Sequence, residues 1–402
     1  MNKQKKILIV TDCFPPNFAP RMGLLSANLE KLGDDITIIS EDNCEKHYNL
    51  PNLPKKVYSH NYQSNLSKTK YYIKSFLNLI YDHKSKSFYK KYYNSIKDEK
   101  FDLVLCSTFN EFPLGLAYKI SSKLQIPLVC DIRDIAEQFG NNIYSFSKRN
   151  KLESLFTDLL RKRRLKRRNF VLQNANAITT ISPWHKEFLS KFNKNVHLIY
   201  NGFSKDDFSF NESKSDTFDI IYTGRILDTN TRNPELLFNA IEELSLDKIR
   251  LVWYMDAKSK CIINETLQPY PKSQKLSVFM DLVSINEIPT LLQQSSIVLV
   301  LTNKSGENGP KGIMTTKFFE AVGVEKPVLC VRSDEGCLAQ VISETNAGLA
   351  AKTTEEVKDF ITEKYSEWQK NGFTRQDIIN KEYFCRENQA KQFVEIFNNL
   401  VK

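Results

Sequence analysis

The stretch Gly309-Pro-Lys-Gly-Ile-Met-Thr-Thr-Lys-Phe-Phe-Glu-Ala-Val-Gly-Val-Glu-Lys-Pro-Val-Leu-Cys-Val331 holds a glycine-bearing loop, a helix and a buried strand in immediate succession. The helix is predicted to begin near Thr315 and Thr316, so its unpaired amides create a phosphate site behind a loop containing Gly312. One turn later, Glu320 could accept two hydrogen bonds from the vicinal hydroxyls of a ribose. The plainer alternative is that Glu320 supports its own helix, for instance toward Lys317. Lys326 and Pro327 then lead into the apolar run ending at Val331.

The same loop, helix and strand order recurs outward in both directions. Short β-branched runs fall at Ile7 to Val10, Ile36 to Ser40, Leu103 to Ser107, Leu128 to Ile132, Ala177 to Ile181 and Val196 to Tyr200. Helical periods lie between them; from Met22 to Leu32, Leu24, Leu25, Leu29 and Leu32 make an apolar stripe. The rhythm restarts at Phe218 to Thr223 after a polar linker, Phe208 to Thr217. It continues through Ile249 to Met255, Leu276 to Met280, Ile297 to Leu301 and Val328 to Val331, with helical stretches at 234–244, 288–294, 316–322 and 355–368. Repeated βαβ units form parallel sheets covered on both faces. The expected fold class is therefore α/β, with two doubly wound domains in tandem, and ligands bind beyond the carboxyl ends of such strands. The cleft between the two domains is the expected site.

Size agrees, since 402 residues exceed what one hydrophobic core of roughly 250–300 residues holds. Hydrophobic residues at 41% and charged residues at 26% describe an ordinary globular chain, which excludes disorder and a disulfide scaffold. Lys and Arg number 57 against 47 Asp and Glu, a net +10 that should attract an anionic partner such as nucleic acid, an acidic membrane face or a phosphorylated ligand. Neither a secretory signal nor a membrane-spanning run is expected. The eight scattered cysteines lack a C-x-x-C pair and read as reduced, buried packing residues of a cytoplasmic protein.

Three further places can carry chemistry. Pro15 and Pro16 force an extended turn after the first strand, and Gly23 then lies near a helix start whose amides favour an anion. The buried strand Val129-Cys-Asp-Ile-Arg-Asp134 ends in three charges. Asp131, Arg133 and Asp134 are thus candidate ligands to substrate hydroxyls, or Arg133 pairs with a neighbouring Asp at the strand end. In Ile220-Ile-Tyr-Thr-Gly-Arg225, Gly224 lets backbone approach a ligand, and Arg225 with Arg232 could place two planar cations on a diphosphate. Residues 55–100 break the pattern, with 11 Lys, three acids and ten interleaved aromatics; Arg161-Lys-Arg-Arg-Leu-Lys-Arg-Arg168 forms a second basic block.

With these residues together, the chain resembles a family 4 glycosyltransferase of the GT-B fold, the retaining, nucleotide-sugar-dependent class. The likeness runs end to end: Ile7 to Pro16 with Gly23; Cys130 to Asp134; Ala175 to Trp184; Tyr200-Asn-Gly202; Thr223-Gly-Arg225 with Arg232; Ile288-Pro-Thr-Leu-Leu292; Thr316 to Gly323 with Lys326-Pro327; and the tail Phe384 to Ala390. It implies an acceptor domain over 1–207, a nucleotide-sugar domain over 208–380 and a closing helix, 381–402, packed back on the first. Arg225 and Arg232 would hold the donor diphosphate and Glu320 the ribose, with Gly224, Thr315, Thr316 and Lys317 completing the donor site. Gly312 stands where the family's first motif glutamate would be, and Arg133-Asp134 replaces its His-Asp pair.

The activity implied is retaining transfer of a sugar from a nucleotide diphosphate, UDP-linked by preference, to a lipid-linked or oligosaccharide acceptor in surface polysaccharide or capsule synthesis. Leaving-group charge would be met by Arg225 and Arg232, so neither metal nor other cofactor is expected. The basic segments would then bind the anionic inner face of the membrane through Tyr72, Phe76, Arg161, Lys162, Arg163 and Arg164, with a solvated helical face as the alternative. A GT-B sugar-nucleotide epimerase, a basic nucleic-acid-binding protein and a non-catalytic relative are the competing readings; no nucleic-acid-binding motif accompanies the charge.

Overall fold

The computed structural model describes residues 4–17, 20–42, 50, 52–62, 66–108, 112–139, 151–229, 232–302, 311–331 and 336–401, apart from the side chains of 72, 151–158 and 160. The chain divides into two compact units, Met1–Tyr200 with Arg386–Lys402, and Asn201–Cys385. These boundaries fall at 200 and 386, against the 207 and 381 that the resemblance implies.

The first unit carries β1 (Lys6–Thr11), β2 (Asp35–Glu41), β3 (Lys56–His60), β4 (Leu103–Thr108), β5 (Leu128–Ile132), β6 (Ala177–Thr180) and β7 (Val196–Leu198). They form one sheet in the order β3-β2-β1-β4-β5-β6-β7, with every pair parallel. Alternation sorts the side chains between two cores. Leu8, Val10, Val104, Cys106, Leu128, Cys130 and Ile178 enter one, and Ile7, Ile9, Leu103, Leu105, Val129 and Ala177 enter the other. Strands buried on both faces need helices on both sides, which is why these runs are continuously apolar. Helix Pro20–Lys31 covers the second face with Met22, Leu25 and Leu29, joined there by Ala390, Phe393, Val394 and Phe397 of helix Arg386–Leu400.

The second unit holds β8 (Phe218–Thr223), β9 (Ile249–Tyr254), β10 (Ser277–Met280), β11 (Ile297–Leu301), β12 (Val328–Val331) and β13 (Gly348–Ala351). Its parallel order, β10-β9-β8-β11-β12-β13, is the dinucleotide-fold arrangement. In such sheets ligands sit where the order reverses, here beyond β1 and β4 in the first unit and beyond β8 and β11 in the second.

The cysteine expectation needs one correction. Cys13, Cys106, Cys130, Cys330 and Cys385 are buried, but Cys261 is exposed on helix Ala257–Leu267 and Cys337 is partly so. Cys44 lies outside the described residues.

Candidate active site

At the carboxyl end of β8 the chain turns through Gly224, whose φ of +116° lies in the region that favours glycine. Its N–H donates to the Tyr254 carbonyl at 2.8 Å. Lys317, in the first turn of helix Thr316–Gly323, reaches across to this glycine. Its Nζ is 2.9 Å from where a β-carbon would stand on Gly224, and 5.1 Å from the Tyr222 ring centroid. The Arg225 carbonyl accepts from Tyr222 Oη at 3.1 Å and also from Arg232 Nη1. Burial first, and the like charge of Arg232 second, push the Lys317 ammonium down to about 8, with Glu320 opposing. Arg232 thus adds to the cost of charging Lys317, and a bound dianion would relieve it.

The helix beside them starts at Thr315, which has extended N-cap backbone and makes no side-chain cap bond. Its first amides are the unpaired donors of a helix N-terminus. Gly312, just before, is buried with φ +68°. Thr316 is exposed and Glu320 partly buried one turn on. Glu320 lies near enough to Lys317 to favour its charge, which is the helix-supporting arrangement considered above.

Arg225, expected beside Arg232 as a phosphate ligand, pairs with an acid and is open to solvent. Its Nε is 3.2 Å from Asp256 Oδ2, and its side chain is 68% exposed. The cation adjoining Arg232 is therefore Lys317, because helix Thr316–Gly323 delivers it over Gly224.

In the first unit, Asp131 is fully buried rather than open to substrate. It accepts from Arg21 Nε at 3.3 Å and Nη2 at 3.2 Å, Ser107 Oγ at 2.9 Å and Thr179 Oγ1 at 2.8 Å. Burial alone would raise its pKa; Arg21, Arg133 and these bonds outweigh that and hold it below the ordinary range. Arg21 also donates to the carbonyls of Ile199 at 3.1 Å and Tyr200 at 2.8 Å, so the pair locks the end of the sheet. Arg133, also buried, has Nη2 3.6 Å from Asp12 Oδ1. Asp12 in turn accepts from Thr108 Oγ1 at 2.9 Å and the Cys13 N–H at 3.0 Å. This is the strand-end ion pair weighed earlier, with its acid supplied by another strand. Asp134, by contrast, is exposed, and protein crowded about its carboxyl still pushes it above its usual range, against Gln138 and Arg133.

Gly23 is also reassigned. It lies inside helix Pro20–Lys31, buried, and a β-carbon there would meet Pro15 Cγ at 2.7 Å and Leu50 Cδ1 at 2.9 Å. Close packing explains this glycine.

The basic block belongs to helix Lys151–Asn174 and is divided in purpose. Arg168 is buried and makes two bonds to Glu137, at 2.8 and 2.7 Å. Arg163 Nε and Arg167 Nη1 both donate to the Ile80 carbonyl, at 3.1 and 3.2 Å, in the last turn of helix Lys68–Tyr81. Arg161 and Arg164 are partly buried, whereas Lys162 and Lys166 are exposed. No described side chain of helix Lys68–Tyr81 is buried; Tyr71, Ile73, Phe76 and Tyr81 are exposed. The Tyr72 side chain lies outside the described residues. Among those described, no helix is long and apolar enough to cross a membrane.

Asp12, Arg21, Ser107 and Thr179 escape sequence reasoning, since only strand order brings them together. Strand-end acid Asp12, beside an apolar run, is the one local signal.

Residues 22–207 match the family model for Glycosyltransferase Family 4. The chain is thus similar, over its first unit, to the glycosyltransferases of family 4. Its fold is GT-B. The chain is similar over 99% of both chains to sucrose-phosphate synthase from Thermosynechococcus elongatus, with TM-score 0.64 and 14% identity. It matches Anabaena Alr3699/HepE, solved with UDP-glucose, at TM-score 0.63 and 13% identity, over 99% of this chain and 100% of that one. The lipopolysaccharide outer core galactosyltransferase WaaB matches at TM-score 0.56 and 14% identity, over 98% and 97%. No curated protein matches by sequence.

Proposed function

We propose that this protein is a glycosyltransferase that transfers a sugar, with retention, from a UDP-linked donor to a lipid-linked or oligosaccharide acceptor of a surface polysaccharide. The observation that carries the donor half is the meeting of Lys317 and Arg232 at Gly224, beside the N-terminus of helix Thr316–Gly323. As the bond between sugar and diphosphate breaks, charge grows on the leaving phosphate. The two cations and the helix amides are already aimed where that charge develops, so little reorganisation is needed. Glu320 is then the ribose ligand, and Arg225 is a peripheral cation. The departing phosphate takes the acceptor's proton on the face it leaves, which preserves configuration. Protein cations supply the electrostatics, so we expect turnover without an added divalent metal. The HepE structure, solved with UDP-glucose, supports a UDP donor as the first to test.

The same reading places the protein in the cytoplasm against an anionic leaflet. Exposed Tyr71, Ile73, Phe76 and Tyr81 on a lysine-bearing helix, with Lys162 and Lys166 exposed on another, support it.

Calorimetry with UDP and UDP-glucose, with and without EDTA, tests the donor site. Binding that survives EDTA and is lost in Lys317→Met supports it; equal affinity in parent and Lys317→Met removes it. UDP release on adding lipid-linked oligosaccharides, with the product's anomeric configuration read by NMR, tests the transfer.

A further inference from the structure

His185 is 1% exposed in the first turn of helix Pro183–Leu189, where its N–H donates to the N-cap Ser182 Oγ at 3.2 Å. Its Nε2 stands 2.6 Å from Gln138 Oε1. Gln138, 3% exposed, lies on the short turn Ala136–Phe139 that follows β5. The same Oε1 is 3.4 Å from the Ile135 backbone N, which can only donate, so that end of the amide is the oxygen. The other end, Nε2, is 3.3 Å from Asp134 Oδ1.

These constraints set the tautomer. His185 must donate from Nε2, which leaves Nδ1 bare, and Nδ1 is buried with no hydrogen-bond partner. Charging the ring would bury a second N–H with nothing to accept it, and burial holds the imidazole down to about 4. A buried unsatisfied nitrogen is costly, whereas an apolar side chain would fill this place without one. What the histidine adds is a second and much closer donor to Gln138 Oε1, which locks the amide.

We propose that His185 is a positioning residue: through Gln138 it orients the Asp134 carboxylate, the exposed acid following β5, for contact with the reacting sugars. This rests on the reading of Asp134 as a ligand-facing group of the first unit. Among the described residues, the other charged groups near this turn are Arg133, itself beside Asp12, and Glu137 on the turn, paired with Arg168 of helix Lys151–Asn174; helix Pro183–Leu189 carries exposed Lys186 and Glu187.

The test uses the full chain labelled with 15N-histidine and 13Cγ-aspartate. A neutral Nε2–H tautomer for His185 is expected near neutral pH. His185→Leu and Gln138→Leu should each raise the Asp134 midpoint by a similar amount, because the bond from Gln138 favours the carboxylate, and the double variant should raise it no further. His185→Gln, which keeps a donor in place, should restore the parent midpoint and guards against a leucine variant that merely misfolds. An Nδ1–H tautomer, or an Asp134 midpoint indifferent to His185→Leu but moved by Gln138→Leu, overturns the coupling. UDP release from UDP-glucose should fall about tenfold in kcat for His185→Leu, with KM unchanged, and His185→Gln should recover it. Intact coupling with full turnover in Asp134→Asn would overturn the role of His185 in transfer while leaving the donor site untouched.

Discussion

The Lys317 ammonium occupies the space that a β-carbon would need on Gly224, 2.9 Å from that point. A strand end from one segment and a helix start from another are thereby matched, glycine for lysine. Gly224→Ala should strain the backbone at φ +116° by about 1–3 kcal/mol and displace the ammonium. We expect a lower Tm together with weaker UDP binding, by thermal denaturation and calorimetry. A stability loss with unaltered UDP affinity would mean that the ammonium does not meet phosphate.

Titration of Lys317 gives opposite signs for binding and folding. Its pKa is about 8 in the fold against 10.5 ordinarily, so the charge needed for a phosphate fades above about pH 8. UDP affinity should fall between pH 7 and 9 in the parent and stay flat in Lys317→Met. Between about 8 and 10.5 the unfolded chain binds the extra proton, so this group's contribution to stability rises with pH and its penalty is complete below that window. Lys326 titrates in the same range, so denaturant midpoints across pH must be compared between parent and Lys317→Met.

Asp131→Asn strands the Arg21 guanidinium in a buried place. Breaking one side of such a pair costs about 3–5 kcal/mol, read as a shift in the urea midpoint of the first unit. The folded-state pKa of Asp131 lies below its ordinary value, so the contribution is present above that value and is lost as pH falls through the folded one. A midpoint within error of the parent at pH 7 would show that the Ile199 and Tyr200 carbonyls alone hold Arg21.

The basic residues of helix Lys151–Asn174 should separate by experiment. Lys162→Glu with Lys166→Glu should reduce co-flotation with anionic liposomes and leave Tm within a degree or two, since both are exposed. Arg167→Ala, which removes one of the two guanidinium donors to the Ile80 carbonyl and leaves Arg163 there, should cost up to about 1 kcal/mol of stability. Equal recovery of the Lys162→Glu, Lys166→Glu variant and the parent on these liposomes would sink the leaflet assignment.

Strands buried on both faces were legible because their side chains leave no polar alternative: Leu128–Ile132, Phe218–Thr223, Ile297–Leu301 and Val328–Val331 coincide with β5, β8, β11 and β12. Edge strands β3 and β13 were not, although β7 and β10 were. In β3 the residues Lys56, Val57 and Ser59 are exposed, and β13 is Gly-Leu-Ala-Ala, so neither shows a β-branched run. At the site, Gly224 and the helix start near Thr316 could be read from local pattern. The partners of Asp131 and Arg133 could not, because they come from β1, β4, β6 and helix Pro20–Lys31, and no spacing rule encodes a register between distant segments. Lys317 was named as a donor ligand, but its displacement of Arg225 as the cation beside Arg232 depends on side-chain reach.

Because Arg386–Leu400 buries Phe393 and Phe397 beside Met22 and Ile9, the first unit needs residues that precede the second unit in sequence and residues that follow it. During synthesis, Asn201–Cys385 can collapse on its own as soon as it clears the ribosome, while the segment made earliest waits, incompletely covered, for the last helix to arrive. Order of manufacture and order of completion are thus reversed, and a ribosome stalled near residue 385 would hold a finished nucleotide-fold unit tethered to an unfinished partner prone to chaperone capture.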